Sequence, residues 1–210
     1  VSGAEARARV LRGALDCVTA HGFAGTTVAD VARAAGVSRA SVYRWFPGGR
    51  DEIFAATVAA EVGRFYAEMA AVVADAPDLA GTVERALAFA HRAIRDHGAL
   101  QALLAAEPER LLGLLDRQHE AALGWVTDHL RPVLAAEAAA GRVRPGVDLD
   151  RAARFVATVG ISVMTTPGRC DLGDPAAVRA FVRDELLAGI MVRPGGCAVR
   201  DPGVTPTGPS

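Results

Sequence analysis

Apolar residues recur every three or four positions along most of this chain and rarely alternate, which predicts helices throughout and no sheet. Val10, Leu11, Ala14, Leu15 and Val18 mark one face of a first helix over residues 5–21, ended by Gly22. Thr27 with Asp30 three positions later forms the acidic version of a capping box and opens a short helix carrying Val28, Val31, Ala32 and Ala35. Gly36 supplies a residue suited to the left-handed region, which stops that helix and turns the chain. Ser38 caps another short helix running through Phe46.

Asp51 and Glu52 favour the positive end of a long fourth helix, predicted to run to about residue 75 with Phe54, Val58, Phe65, Met69 and Val72 in register. At about 1.5 Å per residue it is long enough to link two parts of a molecule. Further helices are predicted over 79–97, 99–106, 109–140, 148–165 and 174–192, the last opened by the cap-and-proline pair Asp174-Pro175. Within 109–140, Leu112, Leu115, Leu123, Val126, Leu130 and Leu134 are expected to face inward, and Pro132 to kink or divide the run. The expectation is an all-α fold of about nine helices. Residues 1–50 form a small first domain, residues 51–192 a larger helical one, and the Pro/Gly-rich residues 193–210 a disordered tail.

Composition narrows the class. A chain of 210 residues with 51% apolar and 22% charged residues can bury a sizeable core. No apolar run is long enough to span a bilayer and the N-terminus is charged, which points to the cytoplasm. Cys17, Cys170 and Cys197 show no metal-ligand or disulfide spacing. No metal or other cofactor is expected. The net charge of −1 hides an asymmetry. Residues 1–50 hold seven arginines against three acids, and the remainder sixteen arginines against twenty-one acids. A basic head on an acidic body suits a DNA binder, because phosphate neutralisation supplies much of the affinity.

Counting Val28 as one, Ala32, Gly36 and Val42 fall at positions five, nine and fifteen. That is the helix-turn-helix pattern of a small residue at the helix crossing, a glycine in the turn and a branched residue locking the second helix. With Thr26-Thr27, the Ala32, Gly36-Val37-Ser38 turn, and Tyr43-Arg44-Trp45-Phe46 followed by a basic residue, the first quarter of the chain resembles the DNA-binding domain of TetR-type transcriptional repressors. The family usually places its basic residue three positions after the aromatic. Here Gly49 stands there and Arg50 follows, one residue later. The resemblance implies DNA contacts from Thr27, Ser38, Arg39, Ala40, Ser41, Tyr43, Arg44, Trp45 and Arg50. Trp45 has a second possible place against the first helix, and Arg7, Arg9 and Arg12 are either a solvated face or backbone contacts.

The resemblance also implies a homodimer reading a near-palindromic operator and a small-molecule effector. Phe155, Val159, Val163, Val178, Phe181, Val182, Leu186 and Ile190 are the expected dimer interface, on the last two helices. Tyr66, Met69, Phe89, His91, Gln118, His119 and Trp125 are the expected lining of an effector cavity, set against plain core packing or satisfied histidines. No phosphate loop, nucleophile elbow or metal-binding histidine pair supports an enzyme. A ligand-binding module without DNA binding would make the arginine-bearing second helix a coincidence. The expected function is a ligand-responsive DNA-binding regulator, a repressor released by an apolar or amphipathic effector.

Overall fold

The computed structural model describes residues 3–166 and 170–192. The fold is all-helical, with ten α-helices and no strands among the described residues. They are α1 (Gly3–Gly25), α2 (Val28–Ala35), α3 (Arg39–Trp45), α4 (Arg50–Val73), α5 (Leu79–Asp96), α6 (Gly98–Ala106), α7 (Pro108–Asp116), α8 (His119–Ala139), α9 (Leu149–Thr165) and α10 (Pro175–Ala180). A π-helical stretch, Phe181–Leu186, extends the last of these. The tail beginning at 193 lies outside the described residues.

Two apolar clusters organise the packing. In the first, Val10, Ala14 and Val18 of α1 meet Val28, Val31 and Ala32 of α2, Val42 and Phe46 around α3, and Ile53 and Phe54 at the start of α4. Leu103 of α6 and Leu111 of α7 belong to it as well, so the head's core reaches past residue 50 into the rest of the molecule. In the second, the later part of α4 (Tyr66, Met69) packs with α5, α8, α9, α10 and the π-helical stretch. A short helix pair cannot bury its own apolar face. Here α1 covers α2 and α3, and α4, α6 and α7 close the remaining side.

The helix ends follow local chemistry closely at the head. The Thr27 hydroxyl accepts the Asp30 N–H (3.2 Å), and the Asp30 carboxylate accepts the Thr27 N–H (3.1 Å), closing the capping box. Gly36 adopts φ 64°, ψ 39°, the left-handed cap that the sequence requires of it. Ser38 caps α3 through the Ser41 N–H (3.1 Å), and Asp78, Asp148 and Asp174 cap α5, α9 and α10.

The body departs from expectation in three places. Pro132 does not divide the run assigned to 109–140: it sits exposed within α8, and the break falls at residues 117–118 instead. The proline removes one N–H donor on the solvent side, while Leu130 and Leu134 hold the helix from within. Because α7 is a separate helix, its apolar phase is not continuous with that of α8; Leu111 is buried and Leu112, expected inside, is 55% exposed. The last helix stops at Leu186, not at 192. The Leu187 N–H reaches the Val182 carbonyl five residues back (2.9 Å), and an antiparallel bridge between Val143 and Met191 replaces further helix. Buried Glu137 pins this corner, accepting the Arg142 Nε–H (2.6 Å) and the Leu79 N–H at the start of α5 (3.2 Å).

Candidate nucleic-acid interface and ligand cavity

Helix α3 divides its residues sharply by burial. Val42 and the flanking Phe46 are fully buried, while Ser38, Arg39, Ala40, Tyr43 and Arg44 are exposed and Ser41 is half-buried. Tyr43 is 45% exposed despite its large ring, and the Arg44 guanidinium lies 5.3 Å from the centre of the half-buried Trp45 ring. Trp45 packs on the head's core and lies beside the exposed Arg44. Thr27 is exposed at the start of α2. Its hydrogen bonds, with help from Arg33, hold the Asp30 carboxyl below its ordinary range.

The link between α3 and α4 is compact. Gly49 is buried at φ 66°, ψ −136°, a backbone conformation open to glycine and strained for other residues, and it lies against the Tyr43 ring. The Gly48 N–H donates to Glu52 (2.7 Å), and Arg50, half-buried, opens α4 with its guanidinium 6.0 Å from the Phe54 ring centre. Two of the arginines near the start of α1 hold the head together. Arg7 lies over the Phe46 ring (4.9 Å), and the Arg9 Nε–H donates to the Ala35 carbonyl (3.2 Å). Arg12 is exposed.

A cavity of about 640 Å³ lies where head meets body, within the size range of small-molecule sites. Its walls come from α1 (Leu15, Val18, Phe23), from α4 between Phe54 and Tyr66, from the α5–α6–α7 run, and from the ends of α8 and α9. Of the seven expected lining residues, Tyr66, Gln118 and His119 do line it. The other four are placed elsewhere, so their assignment is corrected. Met69 is body core. Phe89 packs on Phe65 (5.4 Å between ring centres), and Trp125 lies between Tyr66 (4.8 Å) and His129 (3.8 Å, stacked). His91 turns its buried Nε2 toward Gly173, without a partner among the described residues. Burial also raises the Tyr66 phenol above its ordinary pKa.

The dimer assignment changes for a similar reason. Val163, Val178, Phe181, Val182, Leu186 and Ile190 are buried in the body core of a single protomer. Phe155, 51% exposed, and half-buried Val159 remain at the surface.

The sequence reading missed the joint between head and cavity. Gly22 breaks α1 (φ 71°, ψ 174°), and the Glu107 carboxylate, at the α6–α7 junction, accepts the N–H groups of Phe23 (2.6 Å) and Ala24 (3.3 Å). The Arg110 guanidinium lies over both the Phe23 ring (5.4 Å) and the Phe54 ring (5.5 Å) and pairs with Asp51 (2.8 Å). Glu61 and His97 on the cavity wall were missed too. Only the proline after Glu107 marked that junction as a boundary; a partner more than eighty residues away leaves no local signal.

A basic three-helix head with an exposed second helix-turn-helix helix defines a DNA-binding transcriptional regulator. Residues 10–57 match the model of the tetR family of bacterial regulatory proteins, so the head is a DNA-binding domain of that family's kind. It is 29% identical to an uncharacterized HTH-type transcriptional regulator of Mycobacterium tuberculosis over 178 residues, 83% of this chain and 82% of the relative. A similar regulator of Mycobacterium bovis matches at 36% over 89 residues, 42% of this chain and 45% of the relative, so the chain covers less than half of that relative's length. Among solved structures, a TetR-family regulator from Mesorhizobium loti superimposes with TM-score 0.65 at 18% identity, covering 91% of this chain and all of the other. The fatty acid degradation regulator FadR from Bacillus halodurans does so with TM-score 0.58 at 18% identity, covering 84% and 93%. At such identities these two likenesses show the fold. No helix among the described residues is long and apolar enough to cross a membrane.

Proposed function

We propose that this regulator is a cytoplasmic homodimeric repressor whose operator binding is released by a small, mostly apolar effector. Residues 1–50 are the DNA-binding domain and residues 51–192 the effector-binding and dimerisation domain. Tyr43 and Arg44 read base edges in the major groove, with Ser38, Arg39, Ala40 and Ser41 beside them; Thr27, Trp45 and Arg50 meet the backbone. Phe155 and Val159, the surface members of the dimer assignment, hold two heads at the spacing of successive half-sites on a near-palindromic operator.

One observation supports this reading above the rest: the cavity is walled by α1 and α4 of the head joint as well as by the body. A ligand there that prefers a displaced α4 also prefers a head moved from its DNA-binding pose. It shifts the equilibrium only by its difference in affinity for the two poses, and coupling of about 1–3 kcal/mol is typical. The same linkage requires operator DNA to weaken ligand binding by the same factor. Calorimetry of a releasing compound with and without operator tests this. Equal affinities in the two titrations overturn the coupling, and unchanged retardation of the upstream DNA by the Arg44→Ala protein overturns the DNA assignment.

A further inference from the structure

The cavity wall is apolar with a one-signed charge. Its ionised side chains are the carboxylates of Glu61 and Asp116, and no arginine lines it. The wall also carries two histidines, His97 and His119, and His97 is engaged at both ring nitrogens. Its Nδ1 accepts the Leu100 N–H (3.1 Å), which leaves the ring proton on Nε2, 3.3 Å from Glu61 Oε2. Glu61 is the more enclosed of the two acids, its side chain 24% exposed, and Phe65 follows it one helical turn along α4 on the same wall. Tyr66 lines the same cavity.

We propose that the cavity selects a lipophilic cation, an amine or quaternary ammonium whose apolar body fills the hydrophobic walls while its charge lies against Glu61. This rests on the cavity being the effector site. A charge taken out of water needs a counter-charge, and an aromatic face adds further attraction for an ammonium group. Both are present together here for a cation. A carboxylate head would meet two like charges and no guanidinium, with only hydroxyl, amide and imidazole groups to receive it. Arg64, which pairs with Glu61 from the solvent side, does not block this. Its side chain is 56% exposed, it does not line the cavity, and it also reaches Glu68 (3.8 Å), to which it transfers when the ligand takes over Glu61.

The experiment varies the head on one apolar body. Dodecyltrimethylammonium, dodecanol and dodecanoate, each below its micelle-forming concentration, are titrated into the full chain by calorimetry. The expected order places the cation about tenfold or more ahead of the anion, with the alcohol between them. Glu61→Gln is expected to remove the cation's advantage and leave the alcohol within about twofold. A thermal melt of the variant checks its fold; should it unfold, the order of the three heads on the unmodified protein decides alone. Dodecanoate binding tightest, or Glu61→Gln weakening all three alike, overturns the cation assignment and leaves an effector cavity standing. Absence of binding by all three overturns the cavity as an effector site and the cation assignment with it.

Discussion

Head and body are both helical, but they are specified in different ways. From α2 to the start of α4 every turn is enforced within a few residues: a closed capping box at Thr27 and Asp30, a left-handed Gly36, a serine cap on α3, and a buried Gly49 before α4. The inward residues Val42 and Phe46 have no exposed surface. In the body the decisive features are long-range. Glu137 joins α8 to α5, and the Val143–Met191 bridge ends the last helix. The cavity takes its walls from six helices and the first turn of another. A locally specified head thus adjoins a region whose shape depends on distant contacts.

Breaking the head's core gives the largest effect. Phe46→Ala is expected to destabilise the protein by about 3–5 kcal/mol, because the site is fully enclosed and the Arg7 guanidinium loses the ring beneath it. Chemical denaturation measures this, and a loss below 1 kcal/mol would contradict the picture of a tightly specified head. Next come the proposed base readers. Tyr43→Ala and Arg44→Ala are each expected to cost about 1–3 kcal/mol in operator affinity with the melting temperature unchanged. Gel retardation beside a melt separates lost contacts from a lost fold.

At the surface of the body, Phe155→Asp is expected to give a monomer with weak operator binding at micromolar concentration, where the native chain is expected to sediment as a dimer. A native chain that sediments as a monomer refutes the dimer. Phe181→Asp does not serve this purpose, because Phe181 is buried in its own protomer and the variant would report unfolding.

Smaller effects sharpen the contrast. Thr27→Ala is expected to cost about 1 kcal/mol at neutral pH. The Asp30 carboxyl is depressed by its Thr27 hydrogen bonds, so the stability it contributes is present above its ordinary value of 3.8 and is lost as pH falls through the lower folded value. The gap between melts of the native and Thr27→Ala proteins is therefore expected to narrow in strong acid without closing, because the Thr27 hydroxyl still accepts the Asp30 N–H; a gap independent of pH would show that the Asp30 carboxylate adds nothing to the capping box. The smallest effect belongs to Arg50→Ala, which is expected to weaken binding to all sequences and to lower the salt slope by about one. An unchanged slope places Arg50 away from phosphate.

This difference in specification also explains how far the sequence could be read. Caps, turn glycines and the positions of Val42 and Phe46 were legible because hydrogen-bond and steric rules acting over three or four residues determine them. Pro132 misled because a proline's effect depends on which side of the helix it occupies. Val178 and Val182 looked like interface because apolar periodicity states that a face is covered, not whether the cover is the same chain or a second copy. Tyr66, Gln118 and His119 reached the cavity, whereas Trp125, from the same helix as His119, is engaged by its ring neighbours.

The break at Gly22 has a consequence for observation in solution. It leaves two backbone amides, those of Phe23 and Ala24, whose acceptor belongs to a carboxylate on the other side of the joint. Their protons are screened from solvent exchange only while Glu107 holds them, so each separation of α1 from the α6–α7 junction is recorded as deuterium uptake at these two positions. The amides deeper in α1 bond within their own helix and stay silent during such an opening. A single exchange map thus carries a clock for the motion of the head and, in the same helix, its own internal reference.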